Sequence, residues 1–312
     1  MELVLREKRF PSATGLCDCR YRVWQPAEVR GAVQLTHGMA EHIDRYDEFA
    51  RYLAGEGFLV YGMDNPGHGK SIGKDMPLGF FGDENGWRNL ILDMRTLYNR
   101  MKADYPATAF ILFGHSMGSF MARSYSARFP GDFEAYVFSG TAGKNPVAKL
   151  GRFLANREIK KGLGRQPSLS LHKMSVGGYN KKFKNAKTPN DWLTRDEAIV
   201  SRYEADEKCG FPFTACGMRD MLDGLIEVSD KGWAKAVPKK PILLIAGDHD
   251  PVGSFGKGVL QVKNRLEASG HEVCCKLYEN GRHEMLNELN RDEVFGDVLL
   301  FLETVTAMGE IE

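Results

Sequence analysis

The chain has 312 residues, 43% of them hydrophobic and 27% charged, and its formal net charge is +1. This composition is typical of a soluble globular protein, and the length allows one large domain with an insertion, or two domains. No apolar run approaches the roughly 18 residues that span a bilayer. Met1 to Phe10 alternates charged and apolar residues and does not resemble a signal peptide. We expect a cytoplasmic protein without a nucleic-acid partner.

Apolar strands alternate with amphipathic helices through most of the chain. The first 36 residues predict three strands, Glu2 to Phe10, Leu16 to Trp24 and Ala32 to Thr36. Buried strands flanked by helices indicate a mostly parallel sheet that is covered on both faces. The further predicted elements are strands at 58–63, 109–113, 135–139, 241–246 and 273–278, and helices at 46–56, 87–102, 117–129, 259–269 and 294–307.

Residues 141–235 interrupt this alternation, because they carry helix-like segments and no strong strand signal. We expect a helical cap there, inserted into a core formed by 1–140 and 236–312. Within 141–190, twelve lysines and arginines stand against one acid, Glu158, which gives this part a charge of +11. Such a segment could contact anionic lipid headgroups or a phosphate-bearing substrate. The alternative is a solvated basic surface that maintains solubility.

The pentapeptide Gly114-His115-Ser116-Met117-Gly118 is the most informative motif of the chain. An apolar strand precedes it and a helix follows it, which is the setting that a Gly-x-Ser-x-Gly nucleophile elbow requires. The glycines allow a sharp turn that exposes the serine hydroxyl above the sheet, next to the free N–H groups of a helix N-terminus. We therefore predict that Ser116 is a nucleophile.

A serine nucleophile needs a base, and the base needs an acid that orients it. In proteins with this elbow, the acid and then the histidine follow the serine along the chain, each after a late strand. Asp248 and Asp250 both follow strand 241–246. We favour Asp250, because Asp248 directly follows a glycine and is typical of a turn residue. Of the eight histidines, His283 follows the last strand and is the predicted base.

The oxyanion of the reaction needs two N–H donors. We expect one from Met117, immediately after the nucleophile, and the other from Met39 in the loop that follows the third strand. Gly38 would give the backbone room to approach. The two methionine side chains would add an adaptable apolar wall to the site.

The chain resembles the α/β-hydrolase superfamily and, within it, the monoglyceride lipase and lysophospholipase-like family of the serine aminopeptidase S33 type. The resemblance spans about 35 to 290. It implies an eight-stranded sheet with an antiparallel second strand, a helical cap and ester hydrolysis without a cofactor. Carried over, it makes Ser116 nucleophile, Asp250 acid and His283 base, with Met39 and Met117 as oxyanion donors. The matching stretches are His37–His42 with Arg45-Tyr46, Asp64–Ser71, Gly114–Gly118, Gly247–Val252 and Arg282–Glu284.

The leading functional prediction is a serine esterase that acts on monoacyl lipids, with monoglycerides, lysophospholipids or medium-chain esters as substrates. A serine aminopeptidase is the alternative, because six acids between 191 and 210 could bind a substrate ammonium. A non-catalytic hydrolase-like binding protein is a minor alternative. The six cysteines match no metal or redox framework, so we expect no metal site and reduced core thiols.

Overall fold

The framework of the computed structural model, which describes residues 3–309, is an eight-stranded sheet. Its strands are β1 Val4–Pro11, β2 Asp18–Gln25, β3 Gly31–Thr36, β4 Phe58–Met63, β5 Phe110–His115, β6 Ala135–Ser139, β7 Ile242–Gly247 and β8 Val273–Tyr278. Their order in the sheet is β1-β2-β4-β3-β5-β6-β7-β8. Strand β2 is antiparallel to both of its neighbours, and all the other pairs are parallel.

Helices cover both faces of this sheet. They are α1 Asp47–Gly55, α2 Gly86–Asp104, α3 Met117–Arg128, α4 Ala148–Glu158, α5 Leu169–Val176, α6 Glu197–Ala205, α7 Ala215–Val228, α8 Trp233–Ala236, α9 Lys257–Ala268 and α10 Arg291–Gly309. The shorter segments are 3₁₀ turns at Ile43–Tyr46, Tyr179–Lys182 and Met285–Asn287, and a π-helical turn at Ile159–Leu163.

Alternate residues of the buried strands enter two apolar clusters on opposite faces. In β5, Phe110 and Leu112 belong to the cluster with α2, α3 and α9, whereas Ile111 and Phe113 belong to the cluster with α1 and α10. This alternation follows from the two-residue period of a strand. Because both faces are covered, the strands are apolar throughout, and the sequence pattern therefore identified them.

The predicted mostly parallel, eight-stranded sheet with helices on both faces is confirmed. Strands 58–63, 135–139 and 273–278 coincide with the structure, and the other elements differ at their ends. The first predicted strand includes Glu2, which lies outside the described residues. The last helix begins at Arg291, three residues before its predicted start. None of the helices within 3–309 combines the length and apolarity needed to cross a bilayer.

The insertion between β6 and β7 forms helices α4 to α8. Helix α7 packs against α4 of the insertion and against α2 and α3 of the core. Its buried residues Met218, Leu222 and Leu225 join the same apolar cluster as Trp87 of α2. The division into a core of 1–140 with 236–312 and a cap of 141–235 therefore stays a proposal, since the two parts share one apolar cluster.

The expectation that all six cysteines are core thiols was wrong in part. All six lie within the described residues and none is paired. Only Cys19, Cys209 and Cys216 are buried, whereas Cys274 is exposed. Strand β8 is an edge strand of the sheet, so a residue on its outward side remains accessible to solvent.

Candidate active site

Ser116 lies between β5 and α3 in a strained backbone conformation. Its φ of 52° and ψ of −120° are angles that residues other than glycine rarely adopt. A Cβ on Gly118 would lie 2.1 Å from the carbonyl oxygen of Thr36, and a Cβ on Gly114 would lie 2.3 Å from that of Gly118. Both glycines of the motif are thus needed, because β5, α3 and the end of β3 are in contact at this turn.

His283 and Asp250 form a buried hydrogen-bonded pair. The Nδ1 atom of His283 lies 3.0 Å from Oδ2 of Asp250, and their side chains are 2% and 0% exposed. The other carboxylate oxygen accepts a hydrogen bond of 2.8 Å from the N–H of Val252. Because Nδ1 donates to the carboxylate, Nε2 is the ring nitrogen that remains for accepting a proton. The pair can therefore act as an oriented general base.

The pKa of His283 reflects two opposing effects. Burial lowers the pKa of His283, because a charged imidazole loses its hydration. The negative charge of Asp250 and its hydrogen bond raise that pKa by more, so the net shift is upward from 6.5. The Asp250 carboxylate thus makes His283 a stronger base than an isolated buried imidazole.

Asp248, the competing acid, is placed elsewhere. Its side chain is 37% exposed, and it accepts a hydrogen bond of 2.6 Å from Nδ1 of the neighbouring His249. The structure brings Asp250, and not Asp248, to His283.

The loop after β3 comes close to Ser116 at Gly38. A Cβ on Gly38 would lie 3.1 Å from the Cβ of Ser116, so only glycine leaves the backbone free to come this close. Met39 follows directly and lines the same cavity as Ser116. Met117 is the first residue of α3, and its N–H therefore has no acceptor within the helix. The two predicted oxyanion donors thus belong to residues that line the same cavity as Ser116.

Ser116, His283, Met39 and Met117 line one cavity of about 560 Å³. This cavity is large enough to enclose much of a small apolar ligand. Three exposed lysines of the insertion also border it, and these are Lys144, Lys181 and Lys182. Its apolar wall comes from α3, the insertion and the loop after β7, and it includes Phe120, Leu171, Val176, Met218, Met221, Leu222, Leu225 and Val252.

Comparison with known proteins assigns the family. The family model described as serine aminopeptidase, S33, matches residues 27–290. The chain belongs to this family. It is 30% identical over 285 residues to a monoacylglycerol lipase of Mycolicibacterium smegmatis, covering 89% of this chain and 90% of that protein. It is 28% identical over 297 residues to the monoglyceride lipase of Homo sapiens, covering 93% of this chain and 87% of that protein.

A solved structure extends this comparison. A carboxyl esterase from Bacillus coagulans, in complex with glycerol, has a TM-score of 0.92 at 32% identity, with 98% of this chain and 100% of that chain covered. The resemblance to the monoglyceride lipase-like branch and the α/β-hydrolase fold are thereby confirmed.

A buried charge network beneath the site of this S33-family chain was not predicted. Arg45 donates two hydrogen bonds of 2.6 Å to Glu284 and one of 2.6 Å to Glu41. Glu41 in turn accepts a 2.6 Å hydrogen bond from the N–H of Gly38. Burial alone raises the pKa of Glu41, but Arg45 outweighs it and the pKa falls to about 2. The network joins the loop of Gly38 to the loop of His283.

Three further histidines hold loops of the S33-family site in place. The N–H of Asn65 donates to Nε2 of His37 at 2.9 Å, and His37 Nδ1 donates to the carbonyl of Gly38 at 2.9 Å. His68 is buried and stacks on Phe81. Burial, together with the neighbouring base, lowers the pKa of His115 to about 4. These rings are therefore neutral at pH 7 and play a supporting role.

The six acids between 191 and 210 do not form part of the cavity wall in the described chain. Within the described residues none of them lines it, and the carboxylates that do, Glu41 and Glu284, both bind Arg45. Among the described residues, the cavity wall therefore offers no unpaired carboxylate for a substrate ammonium. Five of these acids have partners outside the cavity wall or at its edge, which include Lys187 and Thr188 for Asp191, Arg291 for Asp196, Lys187 for Glu197, Asn190 for Glu204 and His42 for Asp206.

Proposed function

We propose that Ser116, Asp250 and His283 are the catalytic triad of this serine ester hydrolase, and that the N–H groups of Met39 and Met117 are its oxyanion donors. The enzyme hydrolyses esters of monoacyl lipids. The triad assignment rests on one observation: the strained Ser116 lines the same cavity as His283, which is paired with the buried Asp250.

The reaction proceeds through an acyl-enzyme. His283 Nε2 takes the proton of Ser116 Oγ while that oxygen attacks the ester carbonyl carbon. The resulting oxyanion accepts hydrogen bonds from Met39 and Met117, which together supply roughly 3–6 kcal/mol of transition-state stabilisation. Protonated His283 then gives its proton to the leaving alcohol. Water attacks the acyl-enzyme by the same route and releases the fatty acid.

The substrate proposal follows from the shape and lining of the cavity. A cavity of about 560 Å³ with a largely apolar wall suits a single acyl chain whose ester carbonyl lies beside Ser116. The relatives named monoacylglycerol lipase and the glycerol complex of the related esterase support a glycerol headgroup. Lysophospholipids belong to the proposed range, because Lys144, Lys181 and Lys182 can attract a phosphate at the border of the cavity.

The two alternatives are not favoured. A peptide ammonium would need an unpaired carboxylate, and Glu41 and Glu284 both already bind Arg45. A binding protein would have no need for a strained serine beside an oriented histidine, since backbone strain costs about 1–3 kcal/mol.

The function is tested by hydrolysis of monoacylglycerols and p-nitrophenyl esters of C2 to C16 acids. We expect Ser116→Ala to lose at least about a thousandfold in kcat. Ser175→Ala removes a hydroxyl from the same cavity wall and serves as the matched control, with activity near wild type. Amino-acid arylamides should not be turned over. Equal ester hydrolysis by Ser116→Ala and wild type would refute the proposal.

We also propose that the basic part of the insertion, residues 141–190, contacts anionic lipid surfaces. Within the described residues, nine of its twelve lysines and arginines form no ion pair, since only Arg152, Arg165 and Lys187 do. A basic surface with protruding apolar side chains is typical of interfacial binding. The exposed large apolar residues of this part are Val147, Leu150, Phe153, Leu163, Leu169 and Met174.

Vesicle flotation tests this contact. Binding should require anionic lipid and weaken with salt, because each basic residue near the surface contributes about 1 kcal/mol. Replacing Phe153 by Ser together with Lys160→Gln and Lys161→Gln should reduce binding at least tenfold. Leu300→Ser is the control, since Leu300 is 65% exposed on α10, outside this surface. Binding that ignores anionic lipid content and salt would exclude the contact.

A cytoplasmic location is proposed on separate grounds. The six unpaired cysteines of the described chain support it, because a reducing compartment keeps thiols free.

A further inference from the structure

Three potential metal ligands meet where the insertion packs on the loop after β3. They are His42 of that loop and Asp206 and Cys209, which follow α6. Their ligand atoms all lie within 4.8 Å of one another, and Nε2 of His42 is 2.8 Å from Oδ2 of Asp206. His42 and Cys209 are buried. The cluster is therefore already assembled by the fold.

The donor set and its spacing suit a zinc ion. Imidazole nitrogen, carboxylate oxygen and thiolate sulfur are the three donor types that Zn²⁺ binds in proteins. At ordinary zinc–ligand lengths, neighbouring donors of a tetrahedral site lie about 3.5 Å apart. The His42–Asp206 separation of 2.8 Å is shorter than that value and no separation in the cluster exceeds 4.8 Å, so side-chain movements of about 1 Å suffice. Three protein ligands leave the fourth position to water.

A second cavity gives solvent access to the cluster. It has a volume of about 360 Å³, and all three ligands line it. Four carboxylates and two guanidinium groups border this cavity, and three of the carboxylates, those of Asp44, Asp47 and Glu48, already pair with arginines outside the cluster. One of the guanidinium groups, that of Arg45, is bound by Glu41 and Glu284. The carboxylates are those of Asp44, Asp47, Glu48 and Asp206, and the other guanidinium is that of Arg202.

The cluster joins the insertion to the loop that carries the proposed oxyanion donor. Gly210, next to Cys209, donates its N–H to the carbonyl of Ala40 at 2.9 Å. The hydroxyl of Tyr203 donates to the same carbonyl at 3.2 Å. A metal held by His42 on one side and by Asp206 and Cys209 on the other would therefore fasten these two segments together.

We propose that His42, Asp206 and Cys209 form a Zn²⁺-binding site that stabilises the contact between the insertion and the loop after β3. Binding displaces the thiol proton of Cys209 to solvent, so that the sulfur coordinates as thiolate. This departs from the expectation, drawn from cysteine spacing, that the chain has no metal site. The spacing gave no signal because one ligand is 164 residues from the next.

Metal content and thermal stability test the site without reference to activity. Reduced, chelator-treated protein is titrated with ZnCl₂, and bound zinc is measured by mass spectrometry after gel filtration. We expect about one zinc per chain and a Tm increase of about 5 °C at zinc concentrations a hundred times above Kd. With Co²⁺ as the probe, a thiolate-to-metal charge-transfer band should appear.

Two variants and a matched control decide the outcome. Cys209→Ser and His42→Gln should each lose the bound zinc, the Tm increase and the Co²⁺ band. Cys216→Ser removes another buried thiol of the insertion, outside the cluster, and should keep all three. Tm without metal shows whether each variant is folded, and either ligand variant alone suffices for the test. Zinc that does not bind stoichiometrically, or that binds equally to Cys209→Ser, would overturn the proposal.

Discussion

At the scale of single residues, the chemistry depends on the charge state of His283. The base must be neutral to take the proton of Ser116, and Asp250 raises the pKa of His283 above 6.5 in spite of its burial. Activity should therefore fall as the pH drops through this raised pKa, so the acidic limb of kcat/KM should lie above pH 6.5. A pH–rate profile with a p-nitrophenyl ester measures it.

Removing the Asp250 carboxylate should reverse the upward shift in the pKa of His283. In Asp250→Asn, the protonated His283 loses its attraction to a negative charge, while the burial that disfavours its charged form remains. The acidic limb of the pH–rate profile should therefore move to lower pH, and kcat should fall by about 10⁴-fold. Asp248→Asn is the control, because Asp248 binds His249 and not His283. An acidic limb that stays in place in Asp250→Asn would assign the titration to another group.

At the scale of elements, the contact between α3 and β3 fixes the turn at Ser116. In Gly118→Ala, the added methyl group would lie 2.1 Å from the carbonyl oxygen of Thr36 and 2.6 Å from that of His37. These are backbone atoms at the end of β3 and in the loop that follows it, which cannot move aside as a flexible side chain can, so we expect the free energy of unfolding to fall by about 3 kcal/mol or more. Urea denaturation measures this loss.

The matched control is another helical glycine with free space around it. A Cβ on Gly296 of α10 meets no atom within 4 Å, so Gly296→Ala should raise the free energy of unfolding by up to about 1 kcal/mol. Equal effects of the two substitutions would show that backbone contact at Gly118 is not what makes glycine necessary.

Sequence reasoning located the elements and motifs well for a physical reason. Strands such as 58–63 are buried on both faces and are therefore apolar throughout, and the elbow has a local sequence signature. The network of Glu41, Arg45 and Glu284 had no such signature, because Arg45 and Glu284 are 239 residues apart. Only the packing of two loops brings these charges together, so their pairing could not be predicted from spacing.

At the scale of the whole molecule, one buried guanidinium holds both ends of the insertion. Arg123 of α3 donates to the Thr141 hydroxyl at 3.2 Å, to the Ala142 carbonyl at 2.8 Å and to the Val228 carbonyl at 2.5 Å. It also lies over the ring of Trp233 at 4.3 Å. Burial lowers the pKa of Arg123 to about 9. The insertion therefore begins and ends on the helix that follows Ser116.

Replacing this guanidinium should loosen the insertion. A lysine cannot reach three acceptors in the fork geometry of arginine, so Arg123→Lys should lower the free energy of unfolding by about 2–4 kcal/mol. Chemical denaturation measures the change. Arg157→Lys, an exposed substitution on α4, should be neutral within about 0.5 kcal/mol. A neutral Arg123→Lys would contradict this role.

Covalent labelling of Ser116 is the most direct test of the proposed chemistry. The protein is treated with a fluorophosphonate, and the modified peptide is identified by mass spectrometry. An activated serine should carry a single adduct on Ser116, absent from Ser116→Ala and formed far more slowly in His283→Gln. An adduct on another serine, or ester hydrolysis that persists in Ser116→Ala, would contradict the assignment of Ser116 as nucleophile.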